Sequence, residues 1–296
     1  MAAPARVDEW TGRDVTVSEI DRELTRLREL SAEHDEMPDL RTSVMTHIAW
    51  VPPEWVGAAQ KVMAGLAERH PSRTILLMPD PESRRDAIDA EVSLKCFPLG
   101  DAHRHVCTEV VELRLLGERA ASPASVVMPL LVSDLPVFLR WRGEPPFGEP
   151  DLEGLVAIVD RLVVDSREWS DLPAAYGRVA GLFDRAAVSD IAWSRTTRWR
   201  QELAALWPAI LGARTLEVRG PKAEALLLSG WLRARAGLEL ELKHRRAAET
   251  TAIAVDGEPV RAPRRDKVSV SDLLSDELDR YDRDRIYEDA VRAAAT

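Results

Sequence analysis

The spacing of hydrophobic residues divides the chain into amphipathic stretches and short runs that are apolar throughout. Apolar residues three or four positions apart predict helices over residues 18–31, 54–69, 170–183, 196–211, 221–235 and from 270 onward. Short apolar or alternating runs predict strands over residues 44–51, 74–78, 91–98, 105–116, 137–142, 159–165, 215–219, 238–243, 251–255 and 267–270. Helices alternate with strands through the middle of the chain, which favours an α/β sheet.

For two of these helices the sequence also predicts the capping residue or the buried face. Ser18 is predicted to cap the first helix, because Asp21 follows it three positions later. The helix over 196–211 is predicted to turn four large residues inward: Trp199, Leu203, Leu206 and Trp207.

The order of the elements also predicts how the chain is divided. The strands from Leu238 onward have no helices between them, unlike the strands before. The Pro- and Gly-rich run after Arg142 resembles a linker, but strand, short helix and strand across it form one crossover unit. We therefore predict domains at 1–165 and 166–296. The predicted fold class is α/β, a mixed sheet flanked by helices with a smaller C-terminal α+β unit.

The run from Pro129 to Gly143 holds the most distinctive strand. Pro136 fixes its own φ, and the residues after it suit a buried strand with a rigid entry turn. This strand ends in Arg140-Trp141-Arg142. Ligands and partners dock at strand ends in α/β sheets, so these three residues are also candidate partner-binding residues.

Composition narrows the class of protein. The chain has 296 residues, 45% of them hydrophobic, and a formal net charge of −10. An acidic chain lacks the broad positive field that binds nucleic acid. No apolar run approaches the ~20 residues that span a bilayer, and the first residues lack the pattern of a signal peptide. We expect a cytoplasmic protein that binds neither nucleic acid nor membranes.

The two cysteines lie near two histidines. His103, His105 and Cys107 alternate on a predicted strand, and Cys96 lies across the predicted turn. These four side chains offer nitrogen and sulfur to zinc, but their spacing matches no usual zinc motif, so we predict no metal. A Cys96–Cys107 disulfide is possible in such a hairpin, although a cytoplasmic location would keep the thiols mostly reduced.

The segment from Trp193 to Arg200 is the densest basic and aromatic cluster. Its cations, Arg195, Arg198 and Arg200, can hold a phosphate at a helix N-terminus or acidic residues of a protein partner. Alternatively, both tryptophans belong to the core and the arginines are solvated or paired internally. The basic segment 69–73 is a weaker candidate for an anion site.

Motifs of known catalytic chemistry are missing. The sequence contains no Walker loop, GxGxxG, GxSxG, HExxH or CxxC, and no convincing pair of nucleophile and base. We therefore expect no enzymatic activity and no cofactor.

An ordered set of segments resembles the OpcA family of glucose-6-phosphate dehydrogenase assembly proteins. The segments are Arg41-Thr42-Ser43, Arg69–Arg73, Pro129–Gly143, Asp160–Ser166 and Trp193 with Trp199-Arg200 and Leu203-Ala204. The likeness extends from the N-terminal helix to Asp284–Tyr287. Arg140 departs from the apolar or aromatic residue expected before Trp141, which leaves open whether the strand end is buried.

The resemblance implies a non-catalytic protein that binds glucose-6-phosphate dehydrogenase and promotes its oligomerisation or activity, as an allosteric activator, in the pentose phosphate pathway. It implies no cofactor and supplies no catalytic residues. A sugar-phosphate or other small-anion binding module of α/β type is the alternative that the arginines leave open. An unrecognised enzyme fits least.

Overall fold

A computed structural model of the chain describes residues 6–34, 43–66, 71–98, 105–263 and 269–295. The α-helices in these ranges are α1 (Val17–His34), α2 (Val56–Leu66), α3 (Pro123–Val127), α4 (Pro150–Val156), α5 (Ala174–Ala180), α6 (Ile191–Arg195), α7 (Thr197–Ala204), α8 (Lys222–Ala236), α9 (Val270–Leu278) and α10 (Arg285–Ala294). The strands are β1 (Arg6–Gly12), β2 (Thr46–Trp50), β3 (Arg73–Asp80), β4 (Ala87–Pro98), β5 (His105–Leu116), β6 (Val137–Trp141), β7 (Arg161–Val164), β8 (Ala187–Asp190), β9 (Thr215–Gly220), β10 (Glu241–Arg246), β11 (Ala252–Val255) and β12 (Glu258–Pro259).

Eight strands form a mixed sheet in the order β1-β4-β5-β3-β2-β6-β7-β8. β2 pairs in parallel with β3 and β6, and β3 pairs in parallel with β5, whereas β4 is antiparallel to β1 and β5. Every residue of β2 and β6 is buried, which suits parallel strands covered on both faces. The predicted antiparallel pair of β4 and β5 is confirmed. β1 and β8 were missed by the sequence prediction.

A second, smaller sheet has the order β10-β9-β11-β12. β9, α8 and β10 form a parallel β–α–β unit, and β11 is antiparallel to β9. Leu216, Val218, Leu228 and Ile253 belong to the buried core of this part of the chain. The two sheets confirm the predicted fold class, a mixed sheet flanked by helices with a smaller C-terminal α+β unit.

The chain divides into two compact units, residues 1–162 and 163–296. The prediction that domains 1–165 and 166–296 exist as separate domains stays a prediction. Among the described residues, the helices include none with both the length and the hydropathy needed to cross a bilayer.

The first helix begins earlier than predicted. Thr16 precedes α1 and forms a capping box with Glu19, whose carboxylate accepts hydrogen bonds from the Thr16 amide and hydroxyl, both at 2.8 Å. The prediction of Ser18 as the cap was therefore wrong. Thr16 and Ser18 are each followed three positions later by an acidic residue, so this spacing alone does not choose between them.

The long helix predicted around α7 is shorter in the structure. Pro208 has no backbone N–H and its ring hinders continuation of an α-helix, so turns and a short 3-10 helix, Ala209–Gly212, follow α7. Trp199 and Leu203 are buried as predicted. Leu206 and Trp207 are exposed, Trp207 by 62%, so the prediction that they face inward was wrong.

The C-terminal segment also differs from its prediction. Residues 267–268 of the strand predicted over 267–270 lie outside the described residues, and Val270 begins α9, as the predicted C-terminal helix from 270 onward requires. Ser269 caps α9 in a capping box with Asp272. α10 then follows as a separate helix.

α8 packs closely against α10 because it carries a glycine at their crossing. A Cβ atom on Gly230 would lie 2.2 Å from the main-chain oxygen of Ala290 and 2.9 Å from Ala294 Cβ. No larger side chain fits there without moving a backbone. This packing holds α8, and with it the start of α8, in place.

Candidate functional site

The end of β6 carries three of the predicted site residues, in the unit of residues 1–162. Trp141 stacks on Trp50, with ring centroids 4.7 Å apart. The Arg142 guanidinium lies over the Trp55 ring at 5.5 Å, and Arg140 donates a hydrogen bond to the main-chain oxygen of Trp141. All three predicted residues are buried. The sequence left open whether this strand end is buried, and the structure buries it among aromatic rings.

The other three predicted site residues lie on α6 and α7, in the unit of residues 163–296. The Arg200 guanidinium is 3.5 Å from the centroid of the buried Trp193 ring, and burial lowers the pKa of Arg200 to about 10. Arg195 forms an ion pair with Asp165 at 2.7 Å. Of the six predicted residues, only Arg198 has a largely exposed side chain. Arg195 and Arg200 are thus used within the fold, as the internal alternative predicts.

A buried carboxyl group caps α6. Asp190 Oδ1 accepts hydrogen bonds from the Ala192 amide at 2.9 Å and the Ser166 amide at 3.0 Å. The Tyr176 hydroxyl lies 3.1 Å from Ser166 Oγ. Burial, followed by the negative charge of Asp165, raises the pKa of Asp190 to about 7. Asp190 therefore exchanges a proton near neutral pH inside the fold.

A cavity of about 650 Å³ lies in the same unit, beside the carboxyl ends of β9 and β10. We call it the basic cavity. It is lined by Ser166, Arg167, Trp169, Ser170, Leu172, Pro221, Lys222, Ala223, His244, Arg246, Ala247 and Ala248. Four of these residues are basic and none is acidic.

The basic residues of the cavity come from different elements. Lys222 begins α8, and its ammonium group donates to the main-chain oxygen of Leu172 at 2.5 Å. His244 and Arg246 project from one face of β10, since they are two residues apart. His244 Nε2 lies 2.8 Å from the Gly220 oxygen at the end of β9. These contacts bring the end of β9, the start of α8 and the end of β10 to one place.

Arg167 differs from the other cations of the cavity because carboxylates neutralise it. Its Nε donates to Glu224 at 2.6 Å and its Nη1 to Glu249 at 3.0 Å. Glu224 also accepts a hydrogen bond from Thr250. A Cβ on Gly220 would lie 2.4 Å from Thr250 Oγ1, so glycine at the end of β9 allows this approach.

The sequence prediction missed Lys222, His244 and Arg246. One signal was present: a strand followed at once by Gly-Pro-Lys and a helix, with a second strand ending in His244-Arg245-Arg246. Strand ends and helix starts are where anions bind in β–α–β units. The pairing of β9 with β10 in parallel was needed to join the two segments, and the sequence does not show it.

Cys96 and Cys107 form a disulfide in the structure. They are direct partners in the antiparallel register of β4 and β5, with Cα atoms 4.0 Å apart. We expected the two thiols to be mostly reduced, but the structure joins them, because cross-strand pairing brings the two sulfurs together. His103 lies outside the described residues, within which no group of three or more potential ligands could hold a metal. That the protein binds no zinc stays a prediction.

The weaker anion candidate, the segment 69–73, is only partly described, since Arg69 and His70 lie outside the described residues. Arg73 begins β3, and its Nε donates to Glu109 at 2.7 Å. Arg28 of α1 donates to the same carboxylate at 2.8 Å. Arg73 thus serves an internal ion-pair network.

Two family models match consecutive parts of the chain. Residues 64–181 match a family model described as the glucose-6-phosphate dehydrogenase subunit N-terminal domain, whose model name refers to OpcA and assembly. Residues 186–270 match the model described as the C-terminal domain of the same subunit. Together the two models cover more than half of the chain, in the order that the family has.

Curated relatives point to the same family. A protein of Synechococcus elongatus named OxPP cycle protein OpcA is 29% identical over 184 residues, which is 58% of this chain and 41% of that protein. A Synechocystis protein of the same name is 25% identical over 182 residues, 57% of this chain and 38% of that protein. The matched segment thus spans about two fifths of the length of these relatives. The chain belongs to the OpcA family, as its ordered segments predicted.

Proposed function

We propose that this chain is a non-catalytic accessory protein that binds glucose-6-phosphate dehydrogenase and promotes its oligomerisation or activity in the oxidative pentose phosphate pathway. The observation that carries the proposal is the match to both domain models of a glucose-6-phosphate dehydrogenase subunit. The name of the relatives, which places them in the OxPP cycle, supports the same pathway. A cytoplasmic location and allosteric activation are parts of this proposal.

We further propose that the contact with the dehydrogenase includes Arg198 and the exposed apolar residues after α7. Leu206, Trp207 and Leu211 are exposed, and so is Arg198 on α7; tryptophan and arginine are typical anchors of protein interfaces. The other five predicted residues are Arg140, Trp141, Arg142, Arg195 and Arg200. They stay proposed contacts: Arg140, Trp141 and Arg142 are buried and would need a local rearrangement to meet a partner, whereas Arg195 and Arg200 are partly exposed.

The first prediction concerns complex formation. Mixed with glucose-6-phosphate dehydrogenase from the same cell, the chain is expected to co-migrate with it and to raise its kcat/KM. Purified alone, the chain is expected to produce no NADPH from glucose 6-phosphate and NADP. Analytical ultracentrifugation and an absorbance assay of NADPH measure both. A mixture that sediments as two separate species, with unchanged kinetics, would contradict the proposal.

The second prediction concerns the contact surface. The Arg198→Glu and Trp207→Ala variants are each expected to weaken dehydrogenase binding by about tenfold or more, through lost charge pairing and lost anchor area respectively. Arg235→Glu is the matched control, an exposed arginine on α8 of the same unit. Thermal melts check folding, and surface plasmon resonance measures Kd. If both variants bind as the control does, the contact lies elsewhere although the proposed function stands.

A further inference from the structure

We propose that the basic cavity binds a small organic phosphate, with its phosphate group at the Lys222 and Arg246 side chains and the first turn of α8. This inference does not depend on binding to the dehydrogenase. The ligand is defined by its chemistry, a phosphate monoester joined to a compact organic group.

The first reason to expect a phosphate is positive charge in the cavity that no carboxylate neutralises. The cavity is lined by four basic residues and no acidic one. Arg167 is neutralised by Glu224 and Glu249. Lys222 reaches only a carbonyl oxygen, and neither Lys222 nor Arg246 pairs with a carboxylate of the described residues. Two cations therefore remain available to an anion in a chain whose net charge is −10.

The backbone supplies further donors. α8 is 15 residues long, and Pro221 precedes it without a side-chain cap. The Ala225 amide makes the bond to the Pro221 oxygen, so the amides of Lys222, Ala223 and Glu224 have no helical acceptor. Ala223 lines the cavity. Free amides at a helix start, together with the positive end of the helix dipole, favour a phosphate.

The topology adds an independent argument. β9, α8 and β10 form a parallel β–α–β unit, and Gly220 at the end of β9 pairs with Arg246 at the end of β10. The carboxyl ends of parallel strands are where such units bind ligands. The cations of β10 and the start of α8 therefore lie at the edge of the sheet suited to a phosphate.

The size and walls of the cavity indicate an organic group beyond the phosphate. The volume of about 650 Å³ is in the range typical of small-molecule sites and far exceeds the needs of phosphate alone. Trp169, Leu172 and Pro221 provide an apolar wall beside the cations, and Ser170 adds a hydroxyl group. A phosphate monoester with a compact organic group, such as a sugar, uses both parts.

Calorimetry on the full chain tests the proposal at constant ionic strength. The probes are glucose 6-phosphate, AMP, inorganic phosphate and glucose. At least one of the two phosphate esters is expected to bind at least about tenfold more tightly than inorganic phosphate, and glucose is expected not to bind. Absence of binding by both esters, binding of glucose as tight as that of its phosphate, or binding of inorganic phosphate alone would overturn the proposal.

Variants of the chain locate the site. Lys222→Ala and Arg246→Ala are each expected to weaken ester binding by about tenfold or more, since each removes a charge-assisted hydrogen bond. Arg235→Ala, at the other end of α8, is the control. If the Lys222 variant folds poorly, the Arg246 variant still tests the site, because Arg246 is exposed and its replacement removes no buried contact. If Arg246→Ala weakens ester binding no more than Arg235→Ala does, the phosphate does not bind at the proposed site.

Discussion

Replacement of Glu109 by alanine is expected to lower the free energy of unfolding of the N-terminal unit by about 3–5 kcal/mol. Glu109 accepts hydrogen bonds from Arg73 at 2.7 Å and from Arg28 at 2.8 Å. The side chains of Arg73 and Glu109 are only 8% and 11% exposed. Without the carboxylate, the Arg73 guanidinium keeps its acceptor at the Leu130 oxygen but loses its counter-charge in a place where water cannot replace it.

Denaturant unfolding, with hydrogen exchange at the amides of β3 and β5, measures this loss. Glu23→Ala is the matched control on α1, because Glu23 pairs with the half-exposed Arg26, and such pairs are worth less than about 1 kcal/mol. Adding Arg73→Met to the Glu109 variant is expected to restore part of the stability, since it removes the unpaired charge. A Glu109 variant as stable as the Glu23 variant would show that the network contributes little.

Local patterns predicted the elements whose character depends on neighbours in sequence. β6 follows Pro136 and is apolar except for Arg140, and α8 has regular apolar spacing, so both were predicted close to their observed bounds. α7 ends early because of Pro208. The apolar spacing continues past this proline, so the sequence pattern predicted a longer helix. β1 carries Val7 and Trp10 among charged residues, and it becomes a strand because it pairs along the edge of β4. Such pairing is a tertiary effect that the sequence pattern does not contain.

The candidate sites also depend partly on local sequence and partly on tertiary packing, and for them the tertiary part is larger. Arg142 and Arg200 were singled out because cations stand beside tryptophans, and the structure has both guanidinium groups over indole rings. The sequence could not show that the rings and cations are buried together, since burial depends on the packing of remote elements. Conversely, Lys222 and Arg246 lie 24 positions apart in sequence, and the local signal at each segment does not join the two. They meet because β10 returns parallel to β9, so only the topology reveals the basic cavity.

The Asp190→Asn variant is expected to remove a pH dependence of stability near neutral pH. The pKa of Asp190 is about 7 in the folded chain and close to 3.8 when unfolded. Between these values the folded chain holds a proton that the unfolded chain has released, so stability falls as pH rises, by about 1.4 kcal/mol per pH unit. Above pH 7 this contribution is lost and the carboxylate stays buried with its charge. Asparagine keeps an oxygen for the Ala192 and Ser166 amides but has no proton to lose.

The free energy of unfolding of the variant, minus that of the parent, is therefore expected to rise by about 2.5 kcal/mol between pH 5 and pH 8. The amide of the variant also lies beside Asp165, and any cost of this placement that does not vary with pH cancels when the two pH values are compared. The change of the free energy of unfolding with pH is therefore more informative than its value at one pH. Asp256→Asn is the control: backbone hydrogen bonds from Arg214 and Thr215 lower the pKa of the exposed Asp256, which is ionised in both states over this range. Urea unfolding at each pH provides the measurement. Parallel profiles for the Asp190 variant and the parent would mean that Asp190 is already ionised in the folded chain, with the Ser166 and Ala192 amides stabilising its charge.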